Sequence, residues 1–311
     1  MRIVVTGSAG FVGSHLARRL VADGHDVVGI DCLRDNYDPA EKKANLAWVA
    51  AAGPLDQHDL DLSRDDLDAV VAGADVVVHL AGQPGVRASW GDGLAAYTQD
   101  NILATERVLG AAQRAGVERV VMASSSSVYG EAARYPCSED DLPRPHSPYG
   151  VTKLAAEHLG VAHARNDGLG VVALRYFSVY GPRQRPDMGL RRLFDAARTG
   201  APFPRYGDGS QVRDMTYVGD VVEATLAAAE ADLEPGTVLN VAGGSQVTLA
   251  EVIERVEAVT GRAIAIDQRP VQQGDVTRTG GDTTRIRALL GWVPATDLTT
   301  GLAEMAAWAS G

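Results

Sequence analysis

Apolar positions in the first half of the chain come as short β-branched runs separated by longer stretches in which they recur every three to four residues. The runs fall at 3–5, 27–30, 76–80, 120–123 and 171–174, and the helical period appears over 12–22, 95–115 and 153–165. Strands that alternate with amphipathic helices predict βαβ units, so the expected fold class is α/β, a doubly wound parallel sheet. After Phe177 the alternation breaks into a loop rich in Pro, Gly and Arg, a helix near 190–198 and a second loop, Tyr206-Gly-Asp-Gly-Ser210. Segments 215–218, 220–231 and 238–241 are read as returning to the main sheet, and 248–260 and 283–290 as helical again. Two interleaved lobes follow: a doubly wound, Rossmann-type domain of 1–177 plus about 212–242, and a smaller substrate lobe of about 178–211 plus 243–311.

Composition changes this picture little, and charge changes it more. Of 311 residues 45% are apolar and 22% charged, ordinary for a globular fold. The two cysteines, Cys32 and Cys137, have neither disulfide-framework nor zinc spacing, so no metal is expected and a reducing cytoplasm fits. A strand pattern that begins at Arg2 leaves no room for a signal peptide, and no apolar stretch nears the roughly 20 residues of a membrane span. A net charge of −11 argues against a nucleic-acid partner, whose phosphates would need clustered Lys and Arg. Any phosphate-bearing ligand must be held by local features.

One such feature is Gly7-Ser-Ala-Gly10-Phe11-Val12-Gly13, which follows the first strand and opens a helix. Glycines allow a tight turn and close backbone approach, and the helix N-terminus offers unpaired N–H groups to a pyrophosphate. Asp31, at the end of the second strand, stands where an acid meets the adenosine ribose and would repel a 2′-phosphate; NAD is therefore favoured over NADP, with Arg34 nearby pulling the other way. Either feature alone is compatible with an ordinary turn.

Tyr149-Gly-Val-Thr-Lys153 opens another helix, so phenol and ammonium lie one turn apart on one face. A nearby ammonium is expected to lower the phenol pKa so that a phenolate can take a proton from a substrate hydroxyl. Taken by itself, the spacing also fits a surface pair. Ser124-Ser125-Ser126-Ser127-Val128-Tyr129-Gly130 lies where a strand should end, at the carboxyl edge of the sheet where ligands bind.

With these residues the chain resembles the extended short-chain dehydrogenase/reductase family of sugar-nucleotide epimerases and dehydratases, from the first strand to Gly291-Trp292 and beyond. The resemblance places Ser125 with Tyr149 and Lys153 in catalysis. Ser126 and Ser127 stand where related dehydratases and decarboxylases carry acids, which favours simple epimerisation. It implies further cofactor contacts from Leu80, Ala81, Gly82 and Gln83 after His79, from Asp59 and Leu60 at the adenine, and from Asn101 near the nicotinamide. Ala123, Ser124, Tyr176, Ser178 and Val179 complete that expected set.

Arg213-Asp-Met-Thr-Tyr217 and Gly274-Asp275-Val are similar to the family's diphosphate and uridine-ribose segments. Arg175-Tyr-Phe-Ser178-Val-Tyr-Gly-Pro-Arg183-Gln-Arg185-Pro-Asp-Met188 and Gln83-Pro84-Gly-Val-Arg87-Ala-Ser89 resemble the UDP-glucuronate 4-epimerase branch. Arg185, Ser178 and Arg192 are then candidates for a sugar carboxylate. Gly189, Leu190, Tyr206, Gln211 and Arg278 join Gln83, Pro84, Arg87, Ser125, Ser126, Ser127, Tyr149, Arg213 and Asp275 as expected substrate contacts. The reading is a UDP-sugar 4-epimerase with tightly bound NAD, UDP-glucuronate favoured over UDP-glucose or UDP-N-acetylglucosamine, and a homodimer by family analogy. The reading from a different class is a non-catalytic NAD(H)-binding sensor or scaffold.

Overall fold

In the computed structural model, which describes residues 1–310, twelve strands form three sheets. They are β1 (Arg2–Thr6), β2 (Asp26–Ile30), β3 (Asp56–His58), β4 (Val76–His79), β5 (Arg119–Ser125), β6 (Val171–Tyr176), β7 (Val179–Tyr180), β8 (Phe203–Tyr206), β9 (Val212–Tyr217), β10 (Thr237–Val241), β11 (Ser245–Thr248) and β12 (Ile266–Arg269). The helices are α1 (Phe11–Ala22), α2 (Pro39–Ala50), α3 (Asp68–Val71), α4 (Leu94–Tyr97), α5 (Ala104–Ala115), α6 (Pro148–Asp167), α7 (Gly189–Thr199), α8 (Val218–Glu230), α9 (Leu249–Thr260), α10 (Thr284–Leu290) and α11 (Leu298–Ser310).

The main sheet has seven parallel strands in the order β10-β6-β5-β4-β1-β2-β3. Its central strands are buried on both faces, which is why they read as unbroken β-branched runs. Ile3, Val5, Val76, Val78 and Val121 face a core with Leu16 and Leu20 of α1 and Val221 of α8. Their neighbours Val4, Val28, Val77 and Val120 face the opposite core with Val108 and Leu109 of α5 and Ala156 of α6. Each fully buried side chain of this size contributes about 1.5–3 kcal/mol. The smaller lobe combines the three-stranded sheet β11-β9-β7 and the pair β12-β8 with α7, α9 and α11 around Leu193, Phe194, Val256 and Leu302. Among the described residues no helix is long and apolar enough to cross a membrane.

The observed elements differ from the expected ones in four places. Segment 215–218 does not rejoin the main sheet: β9 pairs with β7 and β11, and only β10 returns. α10 does not belong to the substrate lobe, because Ile286 and the following Trp292 are buried in the main core. β3 and α2 were not expected, since Asp56, Gln57 and His58 carry no apolar signal and form a strand only by pairing with the edge of β2. The single helix expected over 95–115 is divided into α4, a π-helical turn Thr98–Leu103 and α5.

His79, at the end of β4, is buried with its ring nitrogens 2.8 Å from Thr6 Oγ1 and 3.0 Å from Thr105 Oγ1. Burial, helped by the Lys153 charge, holds its pKa down at about 3. An unfolded chain protonates this imidazole near pH 6.5. Between those values the unfolded state binds the extra proton, so the stability the neutral ring contributes above about pH 6.5 is lost as pH falls. Thermal denaturation of wild type and His79→Gln from pH 7 to about 4.5 should show a shallower pH dependence in the variant; equal slopes would contradict this.

Candidate active site

The glycine-rich turn lies between β1 and α1. An added Cβ at Gly13 would sit 2.0 Å from the Gly7 carbonyl oxygen, so only glycine allows the helix to start this close to the turn. No side chain caps α1 and no acid occupies its first turn, which leaves its N–H groups and the positive end of its dipole for an anion. These groups open into a groove lined by Gly7, Gly10, Phe11, Val12, Gly13, Asp31, Leu60, Leu80, Ala81, Gly82, Gln83 and Pro84, all expected from the sequence. Asp31 accepts from Leu33 N at 2.8 Å and Ala9 N at 3.2 Å. Burial pushes its carboxyl up, and Lys42 draws it back. The cradle and the buried acid fit a dinucleotide.

Several expected contacts are placed otherwise. Asp59 is exposed and outside the groove; Asp61 and Leu62, the next Asp-Leu pair, line it. Arg34 is not free for a 2′-phosphate, since its guanidinium lies 2.9 Å from Asp100 and 3.3 Å from Asp61. Asn101 is buried and outside the groove lining: its amide donates to Gln83 O and Thr152 Oγ1, each at 3.0 Å, and its oxygen accepts from Gln83 N at 2.7 Å. The π-helical turn gives it that reach, a device common at functional sites. Ser124 donates to Glu157 at 2.8 Å and Tyr176 shares a 2.8 Å hydrogen bond with Thr225, so neither side chain is free for a cofactor. Sequence reasoning missed Cys32, Asn36, Tyr37, Lys42 and Asp100 in the groove wall. Lys42, buried on α2, is indistinguishable in sequence from an exposed helical lysine.

β5 ends on Ser125, as expected, and Ser127 N donates to the Ser125 hydroxyl at 3.1 Å. α6 begins at Pro148 with Ser147 as its cap, so Tyr149 and Lys153 occupy successive turns. A Cβ on Gly150 would come within 2.5 Å of Ser127 O, and this close approach brings the phenol to the serine loop. The Tyr149 ring packs edge-on against Tyr97, with centroids 6.1 Å apart. Tyr97 in turn is held by the Pro84 and Gly85 carbonyls, both 2.7 Å from its hydroxyl.

The expected lowering of the Tyr149 pKa by Lys153 is not what the protein alone produces. Burial pushes the phenol up, and the Ser125 hydroxyl and the Arg185 charge are what pull it back. Burial also brings Lys153 down to about 8, against the pull of Glu157 one turn further along α6. Desolvation is the leading cause of both shifts.

On the far side, Arg185 reaches into the groove while paired with Asp187 at 3.0 Å. Arg213 is largely sequestered on β9, its guanidinium bonded only to Val212 O and facing the charges of Asp275 and Glu131. Arg87 bridges the lobes, 2.7 Å from Asp275 and stacked on Tyr206 at 4.1 Å, and Gln211 donates to Tyr206 O at 2.9 Å. Leu190 is buried in the core of the smaller lobe, so its side chain cannot meet a substrate, and Arg278 stacks on Tyr135. Arg192 and Gly189 lie in the first turn of α7, and Ser178 and Val179 follow β6. The described residues include no cluster of three potential metal ligands.

Residues 3–242 match the NAD dependent epimerase/dehydratase family. A Bacillus subtilis relative described as the uncharacterised UDP-glucose epimerase YtcB is 37% identical over 311 residues, covering 100% of this chain and 98% of its own. A solved structure of UDP-glucuronic acid 4-epimerase from Bacillus cereus with UDP-glucuronic acid and NAD superposes with a TM-score of 0.96 at 37% identity, covering 100% and 99% of the two chains. MoeE5, solved with UDP-glucuronic acid and NAD, is 44% identical with a TM-score of 0.91 and the same coverage.

Proposed function

This chain belongs to the NAD-dependent epimerase/dehydratase family, and we propose that it is a UDP-glucuronate 4-epimerase, interconverting UDP-glucuronate and UDP-galacturonate through transient oxidation at C4. When bound, NAD+ would supply the acceptor for the C4 hydride and the donor for its return. The glycine turn and the N-terminus of α1 hold its pyrophosphate, and Asp31 meets the ribose. Tyr149 removes the proton of the sugar 4-hydroxyl as its phenolate, Ser125 holds that oxygen, and Lys153 supplies positive charge beside them. The 4-keto sugar turns over so that C4 presents its opposite face to the returning hydride, and Tyr149 returns the proton to the 4-oxygen. Arg213, Arg87 and Asp275 grip the nucleotide meanwhile, so the anchor stays fixed while the sugar rotates.

The observation that carries the uronate reading is Arg185, whose charge acts on Tyr149 from within the groove. A 4-keto uronate is a β-keto acid and loses carbon dioxide when its carboxylate bond aligns with the carbonyl π system. Arg185 holds the carboxylate out of that alignment. The neutral-sugar reading is favoured by the Bacillus subtilis relative's description. Incubation with UDP-glucuronate, UDP-glucose and UDP-N-acetylglucosamine without added cofactor, with products identified by NMR, decides between them. Arg185→Ala should raise KM for UDP-glucuronate roughly 10- to 100-fold, the size of a lost charge-assisted bond, and release a UDP-pentose. Unchanged selectivity would remove Arg185 from the site.

We also assign the protein to the cytoplasm, in keeping with its two free cysteines, and to a homodimer, which light scattering tests.

A further inference from the structure

The loop 181–188 leaves β7 in the smaller lobe, where Gln184 bonds Val179 and Arg191, yet Pro182 and Arg183 reach the cofactor half. His15 on α1 is hydrogen-bonded to Pro182 O at 2.9 Å. Arg183 takes a left-handed backbone with φ of 62°, a conformation that side-chain-bearing residues hold only when their surroundings over-determine it. The surroundings here are specific. The Arg183 guanidinium stacks on Trp48 of α2 at 4.3 Å and donates to Asn45 Oδ1 at 3.0 Å. Asn45 is buried, 5% exposed, and its Nδ2 donates to Ala9 O at 3.0 Å. Ala9 lies inside the glycine-rich turn, and its N–H donates to Asp31 at 3.2 Å. Two residues beyond Arg183, Arg185 enters the groove that the turn also lines.

An unbroken series of polar contacts therefore joins Asp31 and the glycine turn to the loop that carries Arg185. Trp48 already stacks a second guanidinium, that of Arg18 at 4.6 Å, and His15 adds no third charge, since burial keeps it neutral with a pKa near 4. Arg183 is thus held by stacking and one directed hydrogen bond, without a carboxylate partner among the described residues.

We infer that Asn45 and Arg183 form a clasp that fastens the Arg185 loop to the glycine-rich turn, so that retention of NAD and placement of Arg185 are one coupled event. Asn45 and Arg183 are positioning residues. They touch neither the sugar nor the reacting atoms, and they act through Ala9 on one side and Arg185 on the other. The loop cannot lift from the groove without breaking the Arg183 contacts to Asn45 and Trp48, which leaves Asn45 without the partner that fixes it against Ala9 and so loosens the turn that holds NAD between oxidation and reduction. The part of the inference that concerns the sugar carboxylate rests on the reading of Arg185 above, and the part that concerns NAD does not.

The test uses purified holoenzyme as wild type, Asn45→Ala, Asn45→Asp, Arg183→Ala and Arg183→Lys, with two readouts. The first is the rate at which NAD leaves during dilution; the second is the ratio of UDP-pentose to epimer formed from UDP-glucuronate. Arg183→Ala and Asn45→Ala should lose NAD about tenfold faster, the effect of one buried hydrogen bond, and release more pentose. Arg183→Lys keeps the charge without the planar stack and should behave in the same direction, which preserves the test if an alanine variant does not fold. Asn45→Asp keeps an acceptor for Arg183 but has no donor for Ala9, so it should lose NAD faster with a product ratio closer to wild type. Wild-type NAD retention in Arg183→Ala and Asn45→Ala overturns the clasp. Faster NAD loss with an unchanged product ratio in Arg183→Ala overturns the coupling. If wild type itself does not convert UDP-glucuronate, the substrate reading and the carboxylate half fall together, while the NAD rates still decide the clasp.

Discussion

Tyr149→Phe lowers turnover roughly 10²- to 10⁴-fold, the range of a lost general acid–base, while NAD and UDP-sugar binding stay near wild type. The phenylalanine ring preserves the edge-on packing against Tyr97, so α6 and the serine loop have no reason to move. What disappears is the phenolic oxygen beside Ser125 that, in the proposed mechanism, accepts the sugar hydroxyl proton and gives it back. Because burial pushes the phenol up, it depends on the Ser125 hydroxyl and the Arg185 charge nearby to ionise. Steady-state rates followed by NMR, with calorimetric binding of UDP as the control, check the expectation. Turnover within a few-fold of wild type would leave the proposed proton transfer without its base.

Glu157→Ala should cost about 3–5 kcal/mol of stability and lower the melting midpoint by on the order of 10 °C. Glu157 is buried one turn beyond Lys153 and is the shared acceptor for Ser124 Oγ at 2.8 Å, Arg175 Nε at 3.0 Å and Arg175 Nη2 at 2.5 Å. Arg175 passes the network on to the Tyr129 hydroxyl at 2.8 Å, and Tyr129 donates to Asn240 at 2.7 Å. Removing the carboxylate leaves a guanidinium in an interior that cannot hydrate it. Ser124→Ala, which removes only one neutral donor to the same carboxylate, should cost roughly 1 kcal/mol. The comparison separates charge from hydrogen bonding: equal losses in the two variants would show that Arg175 does not depend on Glu157. Turnover should fall with stability in Glu157→Ala, because the same carboxylate ties the end of β5, where Ser125 sits, to the helix that carries Tyr149.

Much of this site was legible in the sequence, for physical reasons that differ from residue to residue. The glycines and Asp31 are read from local geometry, a tight turn between a strand and a helix and an acid at the end of the next strand. Tyr149 and Lys153 are read from the helical repeat, which puts them one turn apart whatever surrounds them. Asp59-Leu60 and Asp61-Leu62 are adjacent pairs that look alike in one dimension. Only pairing of β3 with β2 decides which of them meets the groove.

What the sequence determined by itself is whatever depends on near neighbours along the chain. It set the βαβ alternation, the glycine cradle at the start of α1, the serine run closing β5 and the one-turn offset of phenol and ammonium. The tertiary structure decided the rest. Burial moved the phenol up instead of down, the π-helical turn turned Asn101 toward Gln83 and Thr152, and Arg183 came to stack on Trp48 while Arg185 lined the cofactor groove. Backbone periodicity acts over a few residues and can be read locally. Desolvation and the distance between residues 138 positions apart, as for Asn45 and Arg183, are set only when the lobes pack together.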